Sequence, residues 1–162
     1  MEIWDGYNAD KTLAGIDIIR DGDFPNGLYH VVGEVIVRHK DGTFLAMQRD
    51  LHKVGWPGAW EIGAGGSVLK GETPYEGAKR ELLEETGVIA EKLIPLAEVS
   101  EVHENGVGVH YFIYLCETDM DKSAVMLQEG ETIAFKWVDL DEILTGAYIT
   151  ERVKTVIREK MI

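Results

Sequence analysis

Apolar and polar residues alternate along the chain at the spacing of β-strands in five segments. These segments are residues 30–38, 43–49, 91–104, 107–117 and 132–138. Asp41-Gly42 separates the first two segments, and Asn105-Gly106 separates the next two. An Asp-Gly pair favours a type I′ turn, in which both central residues need a positive φ. The pattern therefore predicts two antiparallel hairpins followed by a further strand.

A shorter hairpin is predicted at the N-terminus. Two apolar runs, Ile3-Trp4 and residues 16–19, flank a turn-rich stretch from Asp5 to Lys11. Residues 21–27 have the composition of a loop. We therefore expect a single domain over residues 1–162, with a hairpin extension at about residues 1–27.

Three helices are predicted from their capping residues. Thr73 and Glu76 form a capping box around Pro74, and Gly87 is placed to end the helix in the left-handed conformation, so residues 74–86 should be helical. Asp139 is expected to cap a short helix through residue 144, and Thr150 a last one with Val153, Val156 and Ile157 on one face. The order of elements predicts an α/β fold in which a sheet lies between helices.

Composition narrows the classes of function. The 162 residues carry a formal net charge of -13, which disfavours binding to a nucleic acid duplex and requires cations wherever a phosphorylated substrate binds. The single cysteine, Cys116, lies in an apolar run and is expected to be a buried strand residue in a reducing compartment. The first five residues lack the basic start and apolar stretch of a signal peptide, and no run is long enough for a membrane span. We therefore expect a cytoplasmic protein.

Three carboxylates in the predicted helix carry the strongest chemical signal. Glu81, Glu84 and Glu85 are spaced i, i+3 and i+4, which places them on one helix face. Like charges at this spacing destabilise a helix unless a cation compensates, and a hard divalent ion with oxygen ligands would do so. Arg80 can pair with Glu84 or reach back to Glu72 and hold the preceding loop.

An alternative interpretation needs no ligand. Acidic clusters on helices are commonly solvated faces, in which case Ala78, Leu82 and Leu83 would form the core side of this helix. The preceding Gly65-Gly66 pair would then belong to an ordinary loop.

The whole segment around the helix resembles the Nudix box, G-x5-E-x7-R-E-U-x-E-E-x-G-U, where U is a bulky aliphatic residue. All nine specified positions are met, at Gly66, Glu72, Arg80, Glu81, Leu82, Glu84, Glu85, Gly87 and Val88. The resemblance implies the Nudix fold, a mixed sheet between helices, and hydrolysis of a diphosphate linkage with Mg²⁺ or Mn²⁺. It also implies that the metal ligands are Glu81, Glu84, Glu85 and the carbonyl of Gly65, and that Glu72 and Arg80 orient the loop and helix.

A finer resemblance points to the isopentenyl-diphosphate isomerase branch of this superfamily. Trp60 and the Trp56-Pro57-Gly58 segment before it resemble that branch, as does the N-terminal hairpin. Aligned through Trp60, the isomerase cysteine falls on Gly65 and its histidine on Ser67. His30 aligns with an isomerase metal ligand, but its partners are missing, so a structural role is favoured. The architecture is therefore isomerase-like, whereas the intact box favours hydrolysis.

The remaining candidates lie outside the box. Glu129, on a loop before the last strand, is the leading candidate for the general base that deprotonates water, with Glu131 and Glu85 as alternatives. Arg49 is a candidate for binding substrate phosphate or for a surface ion pair with Asp50. Trp56 is a candidate for stacking on the substrate or for core packing.

Three functional hypotheses follow. The leading one is a Mg²⁺-dependent pyrophosphohydrolase acting on a nucleoside diphosphate derivative or a related small molecule. The second is an isopentenyl-diphosphate isomerase, which the glycine at residue 65 disfavours. The third is a non-catalytic ligand-binding domain, which would not need the complete set of carboxylates. The family resemblance also allows a homodimer.

Overall fold

The structure is a computed structural model that describes residues 1–148 and 150–162. Its nine strands, three helices and one 3₁₀ turn follow one another as β1 Ile3–Tyr7, β2 Leu13–Ile19, β3 Tyr29–His39, β4 Phe44–Arg49, β5 Trp60–Ile62, β6 Ala64–Ser67, α1 Pro74–Thr86, β7 Ile94–Val102, β8 Gly108–Thr118, a 3₁₀ turn Lys122–Ala124, β9 Thr132–Val138, α2 Leu140–Thr145 and α3 Glu151–Lys160. The predicted strands, hairpins and helices are all present. The short strands β5 and β6 were not predicted.

Strand β3 organises the sheet. Along its whole length it pairs in parallel with β8, from Tyr29↔Gly108 to His39↔Thr118. It also pairs antiparallel with β1, β6 and β4 in turn. The sheet is therefore mixed, because the two predicted hairpins are joined through the parallel β3–β8 pair.

Two apolar layers cover the faces of this sheet, as the α/β prediction requires. Val35 and Val37 pack on one face with residues of α1, while Ile36 between them packs on the other face with residues of α2 and α3. The alternation follows from the period of two in a strand. No helix that the structure describes is both long and apolar enough to cross a membrane.

Helix α1 has the predicted caps and lies very close to β3. The Thr73 hydroxyl accepts from Glu76 N at 3.1 Å, Glu76 Oε2 accepts from Thr73 N at 2.9 Å, and Gly87 ends the helix at φ 73°. A Cβ on Gly33 of β3 would lie 2.8 Å from Ala78 Cβ, so only glycine permits this approach. These contacts fix the position of the acidic face of α1 relative to the sheet.

Three local predictions were wrong. The Asp41-Gly42 turn is not type I′, since only Gly42 has a positive φ, and His39 N donates to Thr43 O at 2.8 Å around a three-residue loop. The side chain of Asp41 accepts from Thr43 N at 3.0 Å, which stabilises this alternative. Thr150 makes no side-chain cap hydrogen bond to α3, and Leu83 is exposed rather than part of the core.

Candidate active site

A cavity of about 830 Å³ opens beside strand β6 and the acidic face of α1. Its walls come from the N-terminal hairpin, the loop after β4, strands β5 and β6, helix α1 and the loop before β9. Distant parts of the chain therefore meet at the acidic face. The size lies in the range of small-molecule binding sites.

The three predicted carboxylates Glu81, Glu84 and Glu85 all line this cavity. Glu85 is partly buried, and its Oε2 accepts from Gly65 N at 3.3 Å. Loss of water around the Glu85 carboxyl, followed by the charge of Glu81, raises its pKa to about 8. Burial also raises the pKa of Glu81. The site therefore concentrates negative charge that the surrounding protein does not fully neutralise.

Glycine at residue 66 makes room for this cluster. A Cβ at Gly66 would lie 2.7 Å from Glu81 Oε1, closer than any side chain tolerates. Gly66 also pairs with Gly33 in the β3–β6 ladder, so two glycines bring the loop and the helix together. Any larger residue at position 66 would push the Glu81 carboxylate out of the site.

Arg80 ties the loop to the helix through five hydrogen bonds. Its Nε and Nη2 donate to Glu72 at 2.7 and 3.0 Å, and Nη2 also donates to Ser67 O at 3.1 Å. Its Nη1 donates to Glu81 at 2.6 Å and to Glu84 at 3.3 Å. The two predicted alternatives, pairing with Glu84 and reaching Glu72, thus occur together. The hydrogen bonds from Arg80 lower the pKa of Glu72.

The opposite wall carries two further ion pairs. Arg49 donates to Glu61 Oε1 at 3.1 Å and to Gly55 O at 2.8 Å, so the predicted alternative pair with Asp50 does not form. Lys53 pairs with Glu131. Burial raises the pKa of Glu61, and the charges of Glu61 and Glu131 both contribute to the raised pKa of Glu85. The glutamates that line the cavity therefore number six: Glu2, Glu61, Glu81, Glu84, Glu85 and Glu131.

The oxygen atoms of this site are the kind of ligand that binds a hard divalent cation. The carboxylates, however, do not stand at the distances of a metal site. Carboxylate and carbonyl oxygens are the ligands that Mg²⁺ prefers. Among residues 1–148 and 150–162, no three acidic, histidine or cysteine side chains stand at the spacing of a metal site. Where a cation would stand, the guanidinium of Arg80 instead binds the carboxylates of Glu81 and Glu84. A cation would have to take these oxygens from Arg80.

Comparisons with known proteins identify the family of the chain. Residues 28–158 match the NUDIX domain family. A Nudix hydrolase of Listeria monocytogenes is 34% identical over 143 residues, which are 88% of this chain and 83% of that protein.

The chain belongs to the Nudix family. It is a Nudix hydrolase, an enzyme acting on acid anhydrides in phosphorus-containing compounds. An isopentenyl-diphosphate Delta-isomerase of Corynebacterium diphtheriae is also similar, at 35% identity over 125 residues, 74% of this chain and 68% of that protein. A Deinococcus radiodurans crystal structure superposes with a TM-score of 0.80 at 20% identity, covering 99% of this chain and 100% of that one. The predicted Nudix fold is thereby confirmed.

Three predicted residues of this Nudix hydrolase lie away from the cavity. Glu129 is exposed and does not line it, whereas Glu131, two residues later, does. Trp56 is 70% exposed and also does not line the cavity. His30 is buried and stacks on Trp4 with ring centroids 4.4 Å apart, and burial lowers its pKa to about 4. These contacts suit the structural role favoured for His30.

Sequence reasoning missed Glu61, Lys53 and Arg20 as lining residues. Glu61 alone had a visible signal, because it is a charged residue between the apolar Trp60 and Ile62. Lys53 and Arg20 lie in polar loops, where charged residues are common and carry no signal of their own. Only the folding of these loops over the cavity distinguishes them.

Glu85→Gln should raise the Tm of the metal-free protein at pH 8 by about 5–10 °C. Because the pKa of Glu85 is raised from 4.5 to about 8, the folded state keeps a proton that the unfolded state loses in this window. Stability therefore falls as pH rises from about 5 to 8, by up to about 4 kcal/mol, and the amide removes this loss. Thermal unfolding with a chelator at pH 5 and pH 8 measures it.

Glu159→Gln is the matched control for this pH effect, because Glu159 is exposed on α3. It should keep the wild-type difference in Tm between the two pH values. A Glu85→Gln protein that keeps the same difference would show that the Glu85 carboxyl ionises normally.

Proposed function

We propose that this Nudix hydrolase is a Mg²⁺-dependent pyrophosphohydrolase that cleaves the diphosphate linkage of a nucleoside diphosphate derivative or a related small molecule. The position of Glu81, Glu84 and Glu85 together on one wall of a substrate-sized cavity carries this proposal most directly. A divalent cation would stabilise this arrangement of carboxylates, and the raised pKa of Glu85 is consistent with their close approach. The free thiol of Cys116 and the acidic charge suit action in the cytoplasm.

Four groups would hold the metal: the carboxylates of Glu81, Glu84 and Glu85 and the carbonyl of Gly65. Bound there, a divalent cation neutralises diphosphate oxygens and lowers the pKa of water. The two hydrogen bonds from Arg80 to Glu72 would keep the loop in position, while Nη1 of Arg80 would release the carboxylates of Glu81 and Glu84 to the metal. The role of Arg80 is to position the metal ligands.

The opposite wall would orient the substrate. Arg49 is held by Glu61 and by Gly55 O, which directs its guanidinium along the cavity wall, where it can bind a phosphate group. Glu131 lines the same cavity and would take the proton from an attacking water. Catalysis by these residues consists of positioning, charge neutralisation and one proton transfer.

A screen of nucleoside diphosphate derivatives and prenyl diphosphates tests the proposal. Each compound is incubated with the protein and either Mg²⁺ or a chelator, and the products are identified by mass spectrometry. We expect cleavage of at least one diphosphate only with Mg²⁺. A domain that binds these compounds but yields no product at any Mg²⁺ concentration would favour the non-catalytic alternative.

A second candidate, isomerisation, has support from the similarity to the Corynebacterium isomerase. With isopentenyl diphosphate and Mg²⁺, we expect no dimethylallyl diphosphate, because glycine and not cysteine stands at position 65. The only thiol, Cys116, is 1% exposed in the core behind α1. Hydrolysis should therefore survive Cys116→Ser in a folded variant. Isomer that forms in the wild type and disappears in Cys116→Ser would reverse this assignment.

A further inference from the structure

The N-terminal hairpin forms one wall of the cavity although it precedes the residues that match the NUDIX domain family. That match begins at residue 28, whereas β1, the residues before it and Arg20 all reach the cavity. The hairpin therefore adds to the cavity a surface that lies outside the residues matched to the family. Surfaces of this kind determine which compound is accepted rather than how it is cleaved.

This wall is fixed in place by contacts with both the loop before α1 and the sheet. Ile3 O accepts from Lys70 N at 2.9 Å, and Asp5 Oδ2 accepts from Gly71 N at 2.8 Å. On the other side, Asn8 O is 2.8 Å from His110 Nε2, and Trp4 stacks on His30. A wall held at both ends is a preformed binding surface, which lowers the entropic cost of recognition.

Arg20 is the cation that the hairpin contributes to the cavity. Its Nη1 donates to Glu2 Oε2 at 2.8 Å, and its side chain is 50% exposed. Within residues 1–148 and 150–162, no other side-chain hydrogen bond of Arg20 is formed. By contrast, Arg49 and Arg80 are each held by at least two groups. Arg20 thus keeps donors available in the planar arrangement that suits a phosphate.

The hairpin offers little to a nucleobase. Its one aromatic ring in the cavity wall, Trp4, already stacks on His30 and donates its Nε1–H to Glu2 at 2.7 Å. Glu2 therefore holds Trp4 and Arg20 side by side. The chemistry left open on this wall is that of a cation facing the cavity, so the group it best recognises is an anion.

We propose that the substrate carries a second anionic group, a phosphate remote from the diphosphate that is cleaved, and that Arg20 binds it. This inference rests on the proposed function, because it takes the scissile diphosphate to lie at the carboxylates of α1. Arg20 is then a specificity-determining residue that acts on substrate affinity.

The test uses two pairs of probes that differ by one remote phosphate: NADPH with NADH, and coenzyme A with dephospho-coenzyme A. Binding is measured by calorimetry with Ca²⁺, and turnover separately with Mg²⁺. We expect the wild type to bind the phosphorylated member of at least one pair about 10-fold more tightly. Arg20→Gln should remove this preference, and Arg20→Lys should keep part of it.

Lys11→Gln is the matched control, because Lys11 lies at the other end of the hairpin and pairs with Glu98 at 2.8 Å. It should keep the full preference. Equal affinity of the wild type for both members of both pairs, or a preference that survives Arg20→Gln, would overturn the inference. A preference that depends on Arg20 without turnover of any compound would support the inference and count against the proposed hydrolysis.

Discussion

Replacing Glu85 by glutamine is expected to lower kcat by at least about 100-fold while the protein stays folded. The amide keeps the size of the side chain and its contact with Gly65 N, but it removes the charge that a metal requires. Glu84→Gln should have a similar effect, since Glu84 lies on the same face of α1 and in the same cavity. Steady-state kinetics over a Mg²⁺ titration, on the best compound from the screen, measures both losses.

Glu159→Gln, an exposed change on α3, controls for altered net charge and should keep wild-type kinetics. The expected loss of activity comes together with higher metal-free stability at pH 8, which separates it from damage to the fold. If both variants in α1 turned over substrate at nearly wild-type rates, the acidic face would be a solvated surface and the metal site would lie elsewhere.

The second large effect is expected at the general base. Sequence reasoning favoured Glu129, but the structure places Glu131 in the cavity wall and leaves Glu129 exposed outside it. We therefore expect Glu131→Gln to lower kcat by about 10²–10⁴-fold, the usual contribution of general-base catalysis. The KM and the affinity for Mg²⁺ should change much less, because the carboxylates of α1 still hold the metal.

The pH dependence of kcat assigns the base. At saturating Mg²⁺, Glu131→Gln should lose the acidic limb of the profile, whereas Glu129→Gln should keep it. Loss of the limb in Glu129→Gln alone would restore the original prediction and require the loop before β9 to move. If neither variant loses it, Glu85 takes the proton.

The half of the site on α1 could be predicted from the sequence because its determinants are local. Thr73, Glu76 and Gly87 fix where the helix begins and ends, and the helical repeat then places Glu81, Glu84 and Glu85 on one face. Arg80 was correctly expected to contact Glu72, eight residues earlier. Short-range geometry determines all of these contacts.

The opposite wall could not be predicted, because it depends on contacts between distant segments. Glu131 enters the cavity because its carbonyl accepts from Asp50 N at 2.9 Å and its side chain meets Lys53. Glu129, two residues earlier, has the same chemistry but forms no such contact with any residue that the structure describes. Nothing in the loop sequence distinguishes the two glutamates, and the parallel pairing of β3 with β8 is equally invisible in the local pattern.

Hydrolysis in ¹⁸O-labelled water shows whether the carboxylates of α1 support metal-dependent attack by water on the diphosphate. The wild type is incubated with the screened diphosphates and Mg²⁺, and each product is analysed by mass spectrometry. If Glu81, Glu84 and Glu85 support metal-dependent hydrolysis, one of the two phosphate products gains a single ¹⁸O atom with Mg²⁺ and neither gains any with a chelator. In Glu85→Gln the label should enter at least about 100-fold more slowly. Label that enters the product at the same rate without a divalent cation, or in Glu85→Gln, would contradict the account.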